Sequence, residues 1–135
     1  MMFTFLKAMG HNVGSSLVEA DKIELAKEIL DRAASQGVNL MIPTDIVVAA
    51  SFADTPENQV VAVDAIPGGM MGLDIGPATQ LAFAAAIKTA GTVVWNGPMG
   101  VFEFSNFQSG TRVIADAMAE ATRGGTITIV GGGVS

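Results

Sequence analysis

The segment Thr92-Val93-Val94-Trp95-Asn96-Gly97-Pro98-Met99-Gly100-Val101-Phe102-Glu103-Phe104 carries the clearest fold signal in this chain. It opens with a β-branched run that is typical of a buried strand. The run breaks into Asn-Gly-Pro, which is typical of a turn, and open α/β sheets bind ligands where their strands end. Apolar residues beside the single carboxylate of Glu103 suit a flat heterocycle and a sugar hydroxyl. A tight strand-to-helix loop without a ligand explains the same residues equally well.

Helices and strands alternate on both sides of this segment. The spacing of apolar residues predicts helices over residues 1–9, 21–36 and 78–90. The third of these is expected to pack through Leu81, Phe83 and Ile87. A further helix is expected to bury the stripe Ile114, Ala117, Met118 and Ala121. Short strands are predicted at Leu40–Ile42, Val60–Val63, Thr92–Trp95 and Thr126–Val130. Ser105 and Gln108 form a capping-box pattern before the last helix. The alternation predicts parallel βαβ units, and therefore a Rossmann-like, three-layer αβα fold with a mostly parallel sheet and no internal domain boundary.

Composition excludes several classes of protein. Half of the 135 residues are hydrophobic and 15% are charged, which is typical of one domain with a sizeable core. The net charge of −6 and the absence of a basic run argue against nucleic acid and anionic membrane surfaces as partners. There are no cysteines, so disulfides and thiolate metal sites are excluded. No signal peptide or membrane span is recognisable, so we expect a cytoplasmic protein.

A glycine run, Gly131–Gly133, follows the last predicted strand and could present backbone N–H groups to a phosphate. Three glycines alone are a weak signal. Phosphoryl transfer also needs cations, and none of the seven basic residues lies in the glycine loops. A dinucleotide-binding oxidoreductase is a weaker alternative, because no Gly-x-Gly-x-x-Gly opens a βαβ unit.

The segment Trp95–Phe104, WNGPMGVFEF, resembles a signature of the phosphoglycerate kinases. Four further segments resemble others of that family, in the family's order: Phe3–Lys7, Gly14–Glu19, Met71–Pro77 and Thr126–Gly133. The resemblance implies the middle of the family's C-terminal, nucleotide-binding domain, so residues 1–135 are expected to form an incomplete domain, a fragment of the enzyme. The implied activity is reversible phosphoryl transfer between 1,3-bisphosphoglycerate and ADP, which gives 3-phosphoglycerate and ATP in glycolysis.

The resemblance also implies the nucleotide-binding residues, and it implies no catalytic residue and no metal ligand in this chain. Phe52 matches an aromatic residue near the adenine, and Glu103 matches the carboxylate that takes the ribose hydroxyls. The remaining matches form the adenine walls (Leu17, Gly72, Leu73 and Val101), the loop beside the phosphates (Asn96, Gly97 and Pro98) and the phosphate-side glycines (Gly132 and Gly133).

Some positions depart from the family pattern. Val134 stands where the family has an aspartate that meets the magnesium of Mg-ADP or Mg-ATP, and a valine cannot ligate a hard cation. Ala49-Ala50-Ser51-Phe52 replaces Ala-Asp-Lys-Phe, and Met70 replaces a tryptophan. The resemblance further implies that the lysines that hold the nucleotide phosphates, and the N-terminal domain that binds 3-phosphoglycerate, lie outside these residues.

Three interpretations therefore stay open for this chain. In the first, the chain is the adenosine-binding side of a monomeric enzyme and is inactive alone. In the second, it is a module that binds ADP or ATP without turnover. In the third, it is a scaffold that associates with itself through an open sheet edge. Other candidates have structural explanations: His11 as a surface loop residue, Asp45 and Asp74 as turn or cap acids, and Trp95 as a core residue.

Overall fold

The computed structural model describes residues 2–132, which form an incomplete α/β arrangement. In chain order, the helices and strands are α1 (Met2–Ala8), a 3₁₀ turn (Ala20–Lys22), α2 (Ile23–Ser35), β1 (Asp45–Ala49), β2 (Asn58–Ala62), β3 (Met71–Ile75), α3 (Pro77–Thr89), β4 (Thr92–Asn96), a 3₁₀ turn (Ser105–Phe107), α4 (Ser109–Arg123) and β5 (Ile127–Gly131). No helix within residues 2–132 has the length and apolar character needed to cross a bilayer. The α/β class is confirmed.

Two separate sheets replace the mostly parallel sheet expected from the sequence. β4 and β5 pair in parallel, with α4 as the crossover between them. The other sheet has the order β2-β1-β3, and both of its pairings are antiparallel. The expectation was wrong for these three strands because only the loops 50–57 and 63–70 connect them. Such loops allow antiparallel neighbours, whereas parallel neighbours need a longer crossover.

Several local predictions were also wrong. Leu40–Ile42 is not a strand, because the extended segment enters the sheet only at Asp45, after Pro43. Strand β3 was not predicted, because Gly72 and Asp74 have low strand propensity. Leu81 does not pack, since 73% of it is exposed.

The core has two clusters, one on each side of the three-stranded sheet region. Leu6 of α1 packs with Val13, Ile46, Val48 and Ile66, and the second cluster joins Ala49 and Leu73 to Phe107. The predicted stripe of α4 is confirmed, because Ile114, Ala117, Met118 and Ala121 are all buried. The α4 helix also packs against α3, which places both helices beside the strands that carry the candidate site.

Helices α3 and α4 begin at carboxylates from other parts of the chain. Asp45 of β1 accepts hydrogen bonds from the backbone N–H groups of Ala78 and Thr79, at 3.0 and 2.9 Å, and from the Thr79 hydroxyl at 2.6 Å. Asp74 of β3 accepts the N–H of Gly110 in α4. Both residues are therefore cap acids. A carboxylate there satisfies free N–H groups and is favoured by the helix dipole.

The capping box predicted at Ser105 and Gln108 is wrong. The Ser105 hydroxyl donates to Asp54 at 3.0 Å, and no side-chain cap bond joins the two residues. The cap again comes from a distant carboxylate, which local sequence does not reveal.

Candidate functional site

A cavity of about 350 Å³ lies where α1, the loop 50–57, strand β3 and the loop after β4 meet. It brings together five predicted adenine-site residues from distant parts of the chain, Leu17, Phe52, Gly72, Leu73 and Val101, and also Pro98 of the predicted phosphate-side loop. Further wall residues were not predicted: Met2, Phe3, Met71, Asp74, Met99 and Gly100. The walls are mainly apolar, and the volume and lining suit a flat, mostly apolar group.

Phe52 stands at the rim of this cavity, with 59% of the residue exposed. Its ring centroid lies 5.2 Å from that of Phe104, in a tilted arrangement. Phe104 in turn contacts Phe107 at 6.4 Å between centroids, and Phe107 is fully buried. The exposed ring is thereby joined to the core, while one part of it stays available to a ligand.

The wall at Gly72 requires a glycine. A Cβ at this position would overlap the ring of Phe3 and would lie 2.9 Å from a methyl group of Ile46. The Gly72 N–H donates to the Ser16 hydroxyl at 2.8 Å, which holds the strand edge beside the cavity. Leu17 follows Ser16 and is largely exposed, so it forms a rim rather than a buried wall.

A second group of predicted residues lies at the carboxyl ends of β4 and β5. Asn96 pairs with Gly131 in the parallel register, and both Gly97 and Gly132 have positive φ angles of 95°. A Cβ at Gly132 would lie 2.9 Å from the Gly97 nitrogen and 3.1 Å from the Asn96 Oδ1. Asn96, Gly97 and Gly132 do not line the cavity, whereas the neighbouring Pro98 does. Gly133 and Val134 lie outside the described residues.

Glu103 is exposed and does not line the cavity. Its position follows Val101, which is a wall residue, and precedes Phe104, which supports Phe52. No hydrogen bond or ion pair to the Glu103 carboxylate occurs within residues 2–132. The carboxylate is therefore free to accept hydrogen bonds from a ligand.

Asp74 is the carboxylate of the cavity wall, and it is almost fully buried. Its Oδ1 accepts the N–H of Ile75 at 2.8 Å, and its Oδ2 accepts the N–H of Gly110 at 2.9 Å. Burial raises the pKa of Asp74, and these two hydrogen bonds oppose the rise only in part. The sequence signal for this buried carboxylate was its place between two apolar residues, Leu73 and Ile75, since an acid is rarely buried without hydrogen-bond partners.

No lysine or arginine of the described residues lines the cavity. The recorded ion pairs of Lys22, Lys27 and Lys88 lie on exposed helix surfaces. Within residues 2–132 there is also no group of three His, Cys, Asp or Glu side chains that could hold a metal ion. The arrangement can hold an apolar group, but it supplies no positive charge to a phosphate.

Comparisons with known proteins show which family this chain is similar to. Residues 1–135 match the family model described as phosphoglycerate kinase. The chain is 56% identical to the phosphoglycerate kinase of Thermosynechococcus vestitus and 55% identical to the cytosolic one of Triticum aestivum, in each case over 100% of this chain and 34% of the relative. The chain thus spans about a third of the length of these curated relatives.

Solved structures give the same result. The phosphoglycerate kinase of Coxiella burnetii superposes with a TM-score of 0.92 at 39% identity, over 98% of this chain and 33% of that one. That of Pyrococcus horikoshii superposes with a TM-score of 0.80 at 26% identity, with the same coverage.

Proposed function

Because the chain belongs to the phosphoglycerate kinase family, we propose that its 350 Å³ cavity receives the adenine of ADP or ATP. The observation that carries the proposal is the meeting of Leu17, Phe52, Gly72, Leu73 and Val101 around one apolar space. Phe52 offers an exposed ring face for stacking, and Gly72 leaves the space that the ring of Phe3, another wall residue, occupies.

We assign the ribose and the phosphates of the nucleotide to residues beside the cavity. Glu103 lies in the loop after Val101, where its carboxylate would accept hydrogen bonds from the ribose hydroxyls. The phosphates would face backbone N–H groups at the ends of the two strands, at Asn96, Gly97 and Gly132. Gly133, which lies beyond the described residues, would belong to the same group. Pro98 joins these two parts of the site.

In the whole enzyme, we propose, this chain supplies the nucleotide side of phosphoryl transfer between 1,3-bisphosphoglycerate and ADP. Such transfer depends on positioning and on cations that stabilise the moving charge. The described part of this chain brings no basic side chain to the cavity. The 135 residues alone are therefore expected to bind nucleotide without turnover, and 3-phosphoglycerate would need the N-terminal domain that the family resemblance implies.

Magnesium enters the family's reaction with the nucleotide, and the residues present here do not fit it. Val134 has a hydrocarbon side chain where the family pattern has an aspartate. Residues 2–132 hold no cluster of potential metal ligands either. We therefore assign no magnesium contact to this chain.

A second candidate function, self-association, has one observation in its favour. The parallel pair β4-β5 exposes apolar side chains on both faces: Val94, Ile127 and Ile129 on one face and Val130 on the other. Within the described residues, β4 pairs only with β5, so the other edge of β4 is open. Sedimentation over a range of concentrations tests this candidate, because self-association makes the apparent mass rise with concentration.

We propose the cytoplasm as the compartment. Two plant relatives from Triticum aestivum and Arabidopsis thaliana are named cytosolic, whereas another Arabidopsis thaliana relative is named chloroplastic. Localisation of the tagged chain tests this proposal.

Calorimetric titration with ADP tests the nucleotide site. We expect heat of binding, and Glu103→Ala should weaken the affinity by about fivefold or more, because a hydrogen-bonded carboxylate is lost. Glu28→Ala, an exposed change on α2, is the matched control and should leave the affinity unchanged. A folded sample that binds no ADP at millimolar concentration would overturn the proposal.

A further inference from the structure

The carboxylate of Asp54 ties two segments that are far apart in sequence. Its Oδ2 accepts the backbone N–H and the hydroxyl of Ser105, both at 3.0 Å. Its Oδ1 accepts the backbone N–H of Asn106 at 3.0 Å and the Asn106 side-chain amide at 2.7 Å. Both oxygens are thus used twice, and the exposed loop 50–57 is fastened to the start of the 3₁₀ turn.

This tie is the polar link between the loop and the turn. The other hydrogen bonds of the loop among the described residues stay local, from Ala53 to Ser51, from Glu57 to Thr55 and from Asn58 to Thr55 and Pro56. Without Asp54, only side-chain packing would hold the loop in place.

The aromatic contact at the cavity rim lies directly beside this tie. Phe52 precedes Asp54 by two positions, and Phe104 immediately precedes Ser105. Their rings meet at 5.2 Å, although most of Phe52 is exposed. Burial therefore fixes the Phe52 ring only in part, and the hydrogen bonds of Asp54 add a constraint on the loop that carries it.

We propose that Asp54 is a positioning residue that holds the ring of Phe52 at the cavity rim in the orientation that stacks on the nucleotide base. The proposal rests on the nucleotide function proposed above. A ring that is already fixed loses less conformational freedom on binding, so its position contributes to affinity. Asp54 touches no ligand itself and acts through Phe52.

Asp54→Asn is the informative variant, because it keeps the size of the side chain. Asn replaces one accepting oxygen with an NH₂ group, which then faces the N–H and hydroxyl groups that the oxygen served. Asp31→Asn, an exposed change on α2, is the matched control.

The first measurement needs no nucleotide. Nuclear Overhauser contacts between the Phe52 and Phe104 rings should be present in the parent chain and in Asp31→Asn, and absent in Asp54→Asn. If the contacts persist in Asp54→Asn, the positioning role is overturned.

The second measurement is a double-mutant cycle on ADP affinity. Phe52→Ala should weaken binding about tenfold through lost stacking, and Asp54→Asn should weaken it about threefold to tenfold. In the Phe52→Ala background, Asp54→Asn should change affinity by less than about twofold, because the residue acts through the missing ring. Equal weakening in both backgrounds would show a general structural effect and overturn the proposal.

The two proposals fail in different ways. If the parent chain binds no ADP while Asp54→Asn loses the ring contact, the nucleotide function is overturned and the control of Phe52 by Asp54 stands. If ADP binds and Asp54→Asn keeps both ring contact and affinity, the nucleotide function stands and the positioning role is overturned.

Discussion

The Oδ2 of Asp74 lies 2.9 Å from the backbone nitrogen of Gly110, so strand β3 supplies the N-terminal cap of helix α4. The approach is close enough to require glycine: a Cβ on Gly110 would overlap the Asp74 carboxylate, and one on Gly100 would lie 2.6 Å from the Leu73 carbonyl oxygen. Asp74 thus fixes α4 beside the cavity wall that it also helps to form.

We predict that Asp74→Asn lowers the free energy of unfolding by about 1–3 kcal/mol at neutral pH, because one of two buried N–H groups loses its acceptor. Burial raises the pKa of Asp74 above its ordinary value of 3.8, so the folded chain binds more protons than the unfolded chain between the two values. The contribution of Asp74 to stability therefore falls as pH rises through that window and increases as pH falls through it. The free energy of unfolding of the parent chain minus that of Asp74→Asn, measured by denaturation, should therefore fall as pH rises through this range. Equal slopes would contradict the prediction.

Asp45 should show the opposite pH dependence. Burial alone would raise the pKa of Asp45, but the hydrogen bonds from Thr79 and Ala78 outweigh burial and lower it below 3.8. Its contribution is therefore fully present above 3.8 and is lost as pH falls through the folded pKa. Asp45→Asn should cost about 0.5–2 kcal/mol of unfolding free energy at neutral pH, as cap losses do. Denaturant titrations of both proteins measure this cost, and an unchanged midpoint would refute the capping role.

Gly72→Ala should both destabilise the chain and damage the cavity. The added methyl group would overlap the ring of Phe3, and overpacking of this kind costs about 1–3 kcal/mol. We expect a lower melting temperature and weaker ADP binding. Gly68→Ala is the matched control, because nothing lies within 4 Å of its Cβ and its φ is not positive. Equal effects of the two changes would show that the contact with Phe3 is unimportant.

Magnesium should have little effect on ADP binding by this chain, because Val134 offers no ligand. Val134→Asp should introduce a magnesium-dependent gain in ADP affinity. Titrations with and without the cation measure both effects, and Val134→Asn, which adds a polar group without the charge, is the control. A strong magnesium effect in the parent chain would mean that other residues ligate the ion.

Local sequence patterns predicted helices and strands where contacts between nearby residues decide the structure. The β-branched run at Thr92 became β4, and the apolar stripe from Ile114 to Ala121 became the buried side of α4. The expected burial of that strand was wrong, because 66% of Val94 is exposed and Trp95, expected in the core, is only partly buried. Strand β3 was missed, because Gly72 and Asp74 are there for close packing and for capping rather than for strand propensity. The antiparallel pairing of β1 with β3 depends on contacts that no local pattern carries.

The candidate site was predicted mainly through the family resemblance. Phe52, Gly72 and Val101 do line one cavity, although they lie far apart in sequence. Composition and periodicity alone left a ligand-free loop equally possible, because neither can show that these segments meet. The nucleotide-binding roles of all these residues stay predictions, and those of Glu103 and Gly132 lack even a place in the cavity wall.

The carboxylate caps also have a kinetic consequence. Asp45, Asp54 and Asp74 each accept a hydrogen bond from a backbone N–H that lies 33 or more positions later in the chain, at the start of a helix or turn. These helix starts therefore stay uncapped until the sheet has assembled, and loop closure over such separations carries an entropic cost. High contact order of this kind slows folding, so an isolated α3 or α4 peptide should be poorly helical, and both helices should form late and together with the sheet.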